Sequence, residues 1–288
     1  MALTFVCSGK DRGVCDHEAE KRWVGRCPGC SRYYSIKVKG TNDDTAREKS
    51  TLAVLGLQEK KYIPSGMPEF DKVIGGGFVA GAPYVISGPP GVGKSTLLLT
   101  ICNLYANEKR PVLYASGEER REDIAALANR IGALSPFVEV VGNQGDCYEI
   151  TTRAEEMKAK LVILDSCNTA FLDDVEASEG SAGQIKAVAN YFTAWCKREE
   201  VPAIMVAHIN AEGFLSGPKA LEHLVDCVLE LDKVEELDED GDIIEETKGM
   251  VMLSSGKNRH GASGISSYYT VEATGIKPVR KKSRLSLV

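Results

Sequence analysis

Across the middle of the chain, short apolar runs alternate with longer amphipathic stretches. Residues 83–87, 111–116, 137–141, 161–165 and 203–208 are rich in Val, Ile and Leu and too short for helices, so they predict strands. Between them, residues 94–107, 121–131, 150–159 and 182–199 space their apolar positions as helices do. Such alternation is the mark of a parallel sheet with helices on both faces. Beyond residue 224 the period changes. Residues 225–233 and 243–254 alternate apolar and polar side chains on either side of the acidic turn Asp238-Glu239-Asp240-Gly241-Asp242, which predicts a hairpin. Residues 266–271 predict a third antiparallel strand at the edge of the sheet.

The front of the chain has no such pattern. Residues 1–40 are basic, rich in cysteine and poor in aliphatic side chains, so they need a staple to hold a fold. Residues 41–61, opening on Thr41-Asn42-Asp43-Asp44, read as a linker, and residues 62–275 as the α/β core. Residues 276–288 read as a basic tail carrying Lys277 and Arg280-Lys281-Lys282-Ser283-Arg284, either a solvated terminus or a nucleic-acid contact.

With 288 residues, 43% hydrophobic and 26% charged, the chain can hold one large α/β domain and a small accessory module. A net charge of −6 excludes nucleic-acid binding over the whole surface but not a local basic channel. No run reaches the roughly 18 to 20 apolar residues of a membrane span, and the first residues lack the apolar stretch of a signal peptide. A cytoplasmic chain with no membrane partner is expected.

In a reducing compartment the nine cysteines split in two. Cys102, Cys147, Cys167, Cys196 and Cys227 lie in apolar surroundings and read as buried fillers. Cys7, Cys15, Cys27 and Cys30 predict zinc. Cys27-Pro28-Gly29-Cys30 has the two-residue spacing that lets two thiolates share a metal. Cys7 and Cys15 are separated by seven intervening residues, and His17 offers an alternative ligand; the set of four cysteines is preferred. A redox role for Cys27 and Cys30 has no thioredoxin-like context to support it.

Chemistry concentrates at Gly88-Pro89-Pro90-Gly91-Val92-Gly93-Lys94-Ser95-Thr96, which has the spacing of a phosphate-binding loop between the strand Tyr84-Val85-Ile86 and a helix opening on Leu97-Leu98-Leu99. The glycines allow backbone N–H groups to turn toward phosphate oxygens, Lys94 reaches the terminal phosphates of ATP, and the Ser95 hydroxyl can ligate Mg2+. Asp165 ends an apolar strand where such sites hold the acid that binds magnesium. Glu118 and Glu119 follow the strand ending in Ser116; Glu118 is the candidate general base and Glu119 caps or orients, unless both merely favour the start of the next helix. His208 ends another strand, where it either senses the γ-phosphate or is structural.

Together these residues resemble the bacterial RadA (Sms) family of recombination and repair ATPases. The resemblance is carried by the finger ending in Gly25-Arg26-Cys27-Pro28-Gly29-Cys30, by Ser65-Gly66-Met67-Pro68-Glu69-Phe70-Asp71-Lys72-Val73-Ile74-Gly75-Gly76-Gly77, and by the phosphate loop. It continues through Leu113-Tyr114-Ala115-Ser116-Gly117-Glu118-Glu119, residues 216–226 and Lys257-Asn258-Arg259-His260-Gly261, which is similar to the family signature Lys-Asn-Arg-Phe-Gly. It implies a RecA-like P-loop ATPase core preceded by a four-cysteine zinc finger. It further implies a homo-oligomeric, hexameric ring that hydrolyses ATP, binds single-stranded DNA in its channel and acts as a branch-migration helicase on branched DNA, with a RecA-type recombinase as partner. By the same resemblance Lys257 and Arg259 would reach the nucleotide of the neighbouring subunit, and residues 171–183 and 211–219 would face the channel. A KaiC-like signalling ATPase and an ATP-controlled assembly scaffold are the competing readings. This sequence departs from the family in His260, which replaces the signature phenylalanine, and in Ala211, where relatives carry lysine. Relatives also continue into a Lon-protease-like domain that binds duplex DNA; here the sequence stops soon after the core, and the basic tail would stand in for that surface.

Overall fold

A computed structural model describes residues 5–7, 17–19, 36–38, 61–208, 221–234, 244 and 247–279. They fall into two units, divided between Lys60 and Lys61. In the first, Phe5–Cys7 (β1), Glu18–Ala19 (β2) and Ile36–Val38 (β3) form an antiparallel sheet with β1 at its centre. Cys7 is buried, and its N–H donates to the carbonyl of His17 at 3.0 Å. Cys15, Cys27 and Cys30 lie outside the described residues.

The second unit opens with Tyr62–Ile63 (β4), the helix Pro68–Ile74 (α1) and Phe78–Val79 (β5), with β4 and β5 paired. Its main sheet is made of Pro83–Gly88 (β6), Val112–Ser116 (β7), Val138–Val141 (β8), Leu161–Asp165 (β9), Ala203–His208 (β10), Cys227–Lys233 (β11), Met250–Asn258 (β12), Ser266–Glu272 (β13) and Gly275–Val279 (β14). Their spatial order is β14-β13-β12-β11-β6-β10-β9-β7-β8. From β11 to β8 every pairing is parallel, and from β11 to β14 every pairing is antiparallel.

The helices are α1, Lys94–Tyr105 (α2), Arg121–Ile131 (α3), Cys147–Glu156 (α4) and Ala182–Glu199 (α5). Central strands bury every residue, as a parallel sheet covered on both faces requires. Tyr84, Ile86, Tyr114, Ile163 and Val206 face a core shared with α1, α2 and α3. The alternate residues Val85, Leu113, Val162 and Met205 are fully buried on the other face, where α5 contacts β6 and β10. β12 and β13 bury alternate residues, the period-two pattern of a sheet with one wet face.

Several elements differ from the sequence expectation. The hydrophobic pattern predicts no element over residues 64–79, yet α1 forms there and its Phe70 meets Phe78, which in turn meets Tyr84 and Tyr105 edge-on, at 5.8, 5.6 and 5.3 Å between ring centroids. Residues 276–279, expected to open the basic tail, lie instead in β14, which pairs along β13 as far as Val279. The hairpin strand expected over 243–254 runs instead from Met250 to Asn258, with a register shift between Val228 and Leu229 that leaves Gly256 without a Cα partner. Its acidic turn and residues 280–288 lie outside the described residues.

Candidate active site

The phosphate loop joins the C-terminal end of β6 to α2. Gly88 sits where no side chain fits: a Cβ there would lie 2.1 Å from the Leu231 carbonyl oxygen. Gly93 caps α2 with φ of 104°, and α2 has no side-chain cap, so its first N–H groups depend on another acceptor. A helix start of this kind, preceded by a glycine loop, is a ready acceptor site for phosphate.

Lys94 is 6% exposed, and its Nζ donates to the carbonyls of Gly88 at 2.8 Å and Pro89 at 2.9 Å. Burial pulls its pKa below the usual lysine value, against the opposing charges of Asp165 and Glu118. Ser95 Oγ donates to Asp165 Oδ2 at 3.0 Å, and the Tyr114 hydroxyl donates to the same oxygen at 2.6 Å. A hydroxyl beside a buried carboxylate is the hard oxygen set that magnesium takes when a nucleotide supplies its remaining ligands. Among the described residues no group of three or more His, Cys, Asp or Glu gathers as a metal cage.

Glu118 lies in the same cleft, of about 450 Å³, and accepts a hydrogen bond from Ser166 Oγ at 2.5 Å. The Asp165–Ser166 peptide is cis. Glu119 shares the cleft, and burial first, then the charges of Asp165, Glu118 and Asp123, raise its pKa. Neither glutamate caps the next helix. Ser116 Oγ accepts the N–H groups of Glu118 and Glu119, and α3 begins later at Arg121 with Glu122 and Asp123 in its first turn. His208 ends β10 in register with Gly88, so its backbone lies beside the loop.

Sequence reasoning missed the outer wall of the cleft, formed by Leu127 and Arg130 of α3 and Val271 and Glu272 of β13. Arg130 is fixed there by a hydrogen bond to the Ala273 carbonyl at 2.8 Å. No local motif marks these residues: Leu127 and Arg130 come from α3, and the pairing of the C-terminal strands brings Val271 and Glu272 to the nucleotide loop.

Lys257 and Arg259 are not in this cleft. Asn258 pairs with Cys227, and Cys227 with Tyr84, so both cations lie at the N-terminal end of β6 while the phosphate loop lies at its C-terminal end. At about 3.3 Å per residue over the six residues of β6, the two ends are roughly 17 Å apart. Lys257 Nζ donates to the carbonyls of Glu222 and, at 2.9 Å, Val225. Arg259 pairs with Asp226 at 3.0 Å.

The Ser65 to Gly77 segment braces this end. Asn258 Nδ2 donates to the Val73 carbonyl at 3.3 Å while its Oδ1 accepts the His260 N–H at 2.8 Å. The Tyr62 hydroxyl donates to the His260 carbonyl at 2.8 Å, and Gly75 and Gly261 touch backbone to backbone, leaving no room for a Cβ on either.

A glycine loop with a buried lysine, a serine–aspartate pair and a carboxylate poised over them, set on the C-terminal edge of a parallel sheet, defines a P-loop nucleoside triphosphatase with a RecA-like core. The chain belongs to the AAA domain family, whose profile matches residues 48–213. It is similar to the DNA repair protein RadA of Haemophilus influenzae, 33% identical over 281 residues, covering 92% of this chain and 58% of the relative. RadA of Mycobacterium tuberculosis is 34% identical over 284 residues, covering 95% and 57%. The chain thus spans somewhat under three fifths of the length of these relatives. Among solved structures, a KaiC-like protein from Pyrococcus horikoshii superposes with a TM-score of 0.59 at 20% identity, covering 77% of this chain and all of that one, a likeness of fold.

The five cysteines of the second unit are buried free thiols, with burial pushing Cys167 and Cys227 up to about 12. Among the described residues no helix is long and apolar enough to cross a membrane.

Proposed function

We propose that this chain is an ATP-driven motor that acts on single-stranded and branched DNA in recombination and repair, working as a ring of identical subunits, six in number, alongside a RecA-type recombinase. One observation carries the reading: in a chain similar to RadA along nearly all its length, a complete phosphate site and a pair of cations occupy opposite ends of one strand. Cations so placed are too far to serve their own nucleotide and suit the nucleotide of an adjacent subunit.

In this mechanism Lys94 leaves the carbonyls of Gly88 and Pro89 for the terminal phosphates, and Gly91 and Gly93 free the loop to follow. Ser95 and Asp165 would hold magnesium, with Tyr114 fixing the carboxylate. Magnesium, when bound, neutralises charge on the β- and γ-phosphates. Glu118 takes the proton of the attacking water, Ser166 holds its carboxylate in place, and His208 reads the presence of the γ-phosphate. Lys257 and Arg259 of the neighbour add positive charge where it develops on the transferred phosphoryl group.

The zinc reading rests on the Cys27–Cys30 spacing and on buried Cys7, whose N–H donates to the His17 carbonyl. It expects about one zinc per chain by elemental analysis of the purified protein. A metal-free protein with a folded first unit refutes it.

The deciding experiment is the steady-state rate of ATP hydrolysis with and without single-stranded DNA, with Lys94→Ala as the blank. Strong stimulation, followed by branch migration on a model junction, is expected. Turnover indifferent to DNA overturns the motor reading in favour of a signalling ATPase or an assembly scaffold.

A further inference from the structure

Two cations that must meet a neighbour's phosphates repel each other, and something on their own chain has to hold them. Residues 221–226, leading into β11, do so. The carbonyls of Glu222 and Val225 take Lys257, and the Asp226 carboxylate takes Arg259 through Oδ1 at 3.0 Å. The backbone of Asp226 is itself fastened, its N–H donating to the Pro83 carbonyl at 3.0 Å and its carbonyl accepting the Arg259 N–H at 2.9 Å. Its Oδ2 faces His260 Nε2 at 3.6 Å, and the His260 ring rests against Tyr84. Exposure separates the roles: the Asp226 side chain is 13% exposed and that of Arg259 is 53% exposed. The anchor is sheltered and tied to the first residue of β6, while the arm reaches out from it.

We propose that Asp226 is the positioning residue of Arg259, clamping one nitrogen of the guanidinium so that the arginine meets the neighbouring subunit's nucleotide in one orientation. A planar fork gives its full charge-assisted bonding only at a fixed angle, and a long unanchored arginine loses rotamer freedom on engagement. Asp226 does not touch the nucleotide; it acts through Arg259. The inference rests on the reading of Arg259 as acting across the subunit interface.

Asp226→Asn keeps the shape and removes the charge. In the assembled full-length protein with Mg-ATP and single-stranded DNA, it is expected to lower kcat about 10-fold, with KM and the Kd of a fluorescent ATP analogue within about 2-fold of wild type. In an Arg259→Lys background, which has no fork to orient, the same change is expected to lower kcat by less than about 2-fold. Asp226→Glu, which keeps the charge, should recover part of the loss. Equal losses in the two backgrounds, or a change in KM with kcat intact, overturn the proposal, since either would mark a merely structural carboxylate. The two readings fail separately. If Arg259→Ala hydrolyses ATP as wild type does, the action across the interface is wrong; if Arg259→Ala is inactive while Asp226→Asn keeps its kcat, only the role of Asp226 falls.

Discussion

Gly88 and Gly91 belong to one motif but answer to different constraints. A side chain on Gly88 would drive into the Leu231 carbonyl, whereas a Cβ on Gly91 would meet nothing within 4 Å and pay only for a φ of 72°. Gly88→Ala is therefore expected to destabilise the chain by about 2 to 4 kcal/mol and Gly91→Ala by about 1 kcal/mol, read from urea unfolding; the reverse order would contradict this geometry. Lys94 carries a titration signature. Its pKa is lowered from 10.5 by burial, so between the folded value and 10.5 the folded chain binds fewer protons than the unfolded one. Lys94 thus subtracts stability below that window, and the penalty fades as pH rises through it. Phosphates favour the charged lysine, so nucleotide binding is expected to take up protons on the alkaline side, below the ordinary lysine value of 10.5, seen as a buffer-dependent binding enthalpy in calorimetry. Binding enthalpies independent of the buffer would refute it. The loop, Asp165 and Glu118 were legible because their chemistry sits in contiguous residues beside a strand. Arg130 and Glu272 were not, because a helix and a strand far apart in sequence bring them to the same cleft.

At the scale of elements, the misses have local causes. α1 spans only seven residues between Pro68 and Gly75, too short to display a helical period. β14 contains Pro278 and Lys277, which read as tail; as an edge strand it tolerates both. α4 starts three residues earlier than periodicity implied, because Asp146 caps it by accepting the N–H groups of Tyr148 and Glu149. What no periodicity could show is that the Ser65 to Gly77 segment and the Lys257 to Gly261 segment are one construction. Asn258 bridges them, with Val73 on one side and the His260 backbone on the other. Asn258→Ala is expected to cost about 1 to 3 kcal/mol in urea unfolding and also to lower kcat, because Arg259 lies next to the lost brace. A loss of stability with kcat unchanged would show that the brace holds the sheet and not the arginine.

For the molecule as a whole, the division at Lys60 leaves the second unit as the seat of the nucleotide chemistry. There β6 carries the phosphate loop at one end and, through β11 and β12, Lys257 and Arg259 at the other. The sequence alone showed both motifs but not their separation, which emerges only from the order in which strands far apart along the chain pair. A two-ended strand gives the chain an unusual genetics. If each chain completes its neighbour's site, Lys94→Ala and Arg259→Ala damage different sites, and each should be dominant over wild type when co-expressed. Mixed with each other, however, the two inactive proteins should complement: wherever an Arg259→Ala chain keeps its phosphate loop and borrows the arginine of a Lys94→Ala neighbour, one working site reappears. Hydrolysis recovered on mixing two dead proteins would be the direct mark of a strand shared between two sites, and a mixture as inactive as its parts would confine every site to a single chain.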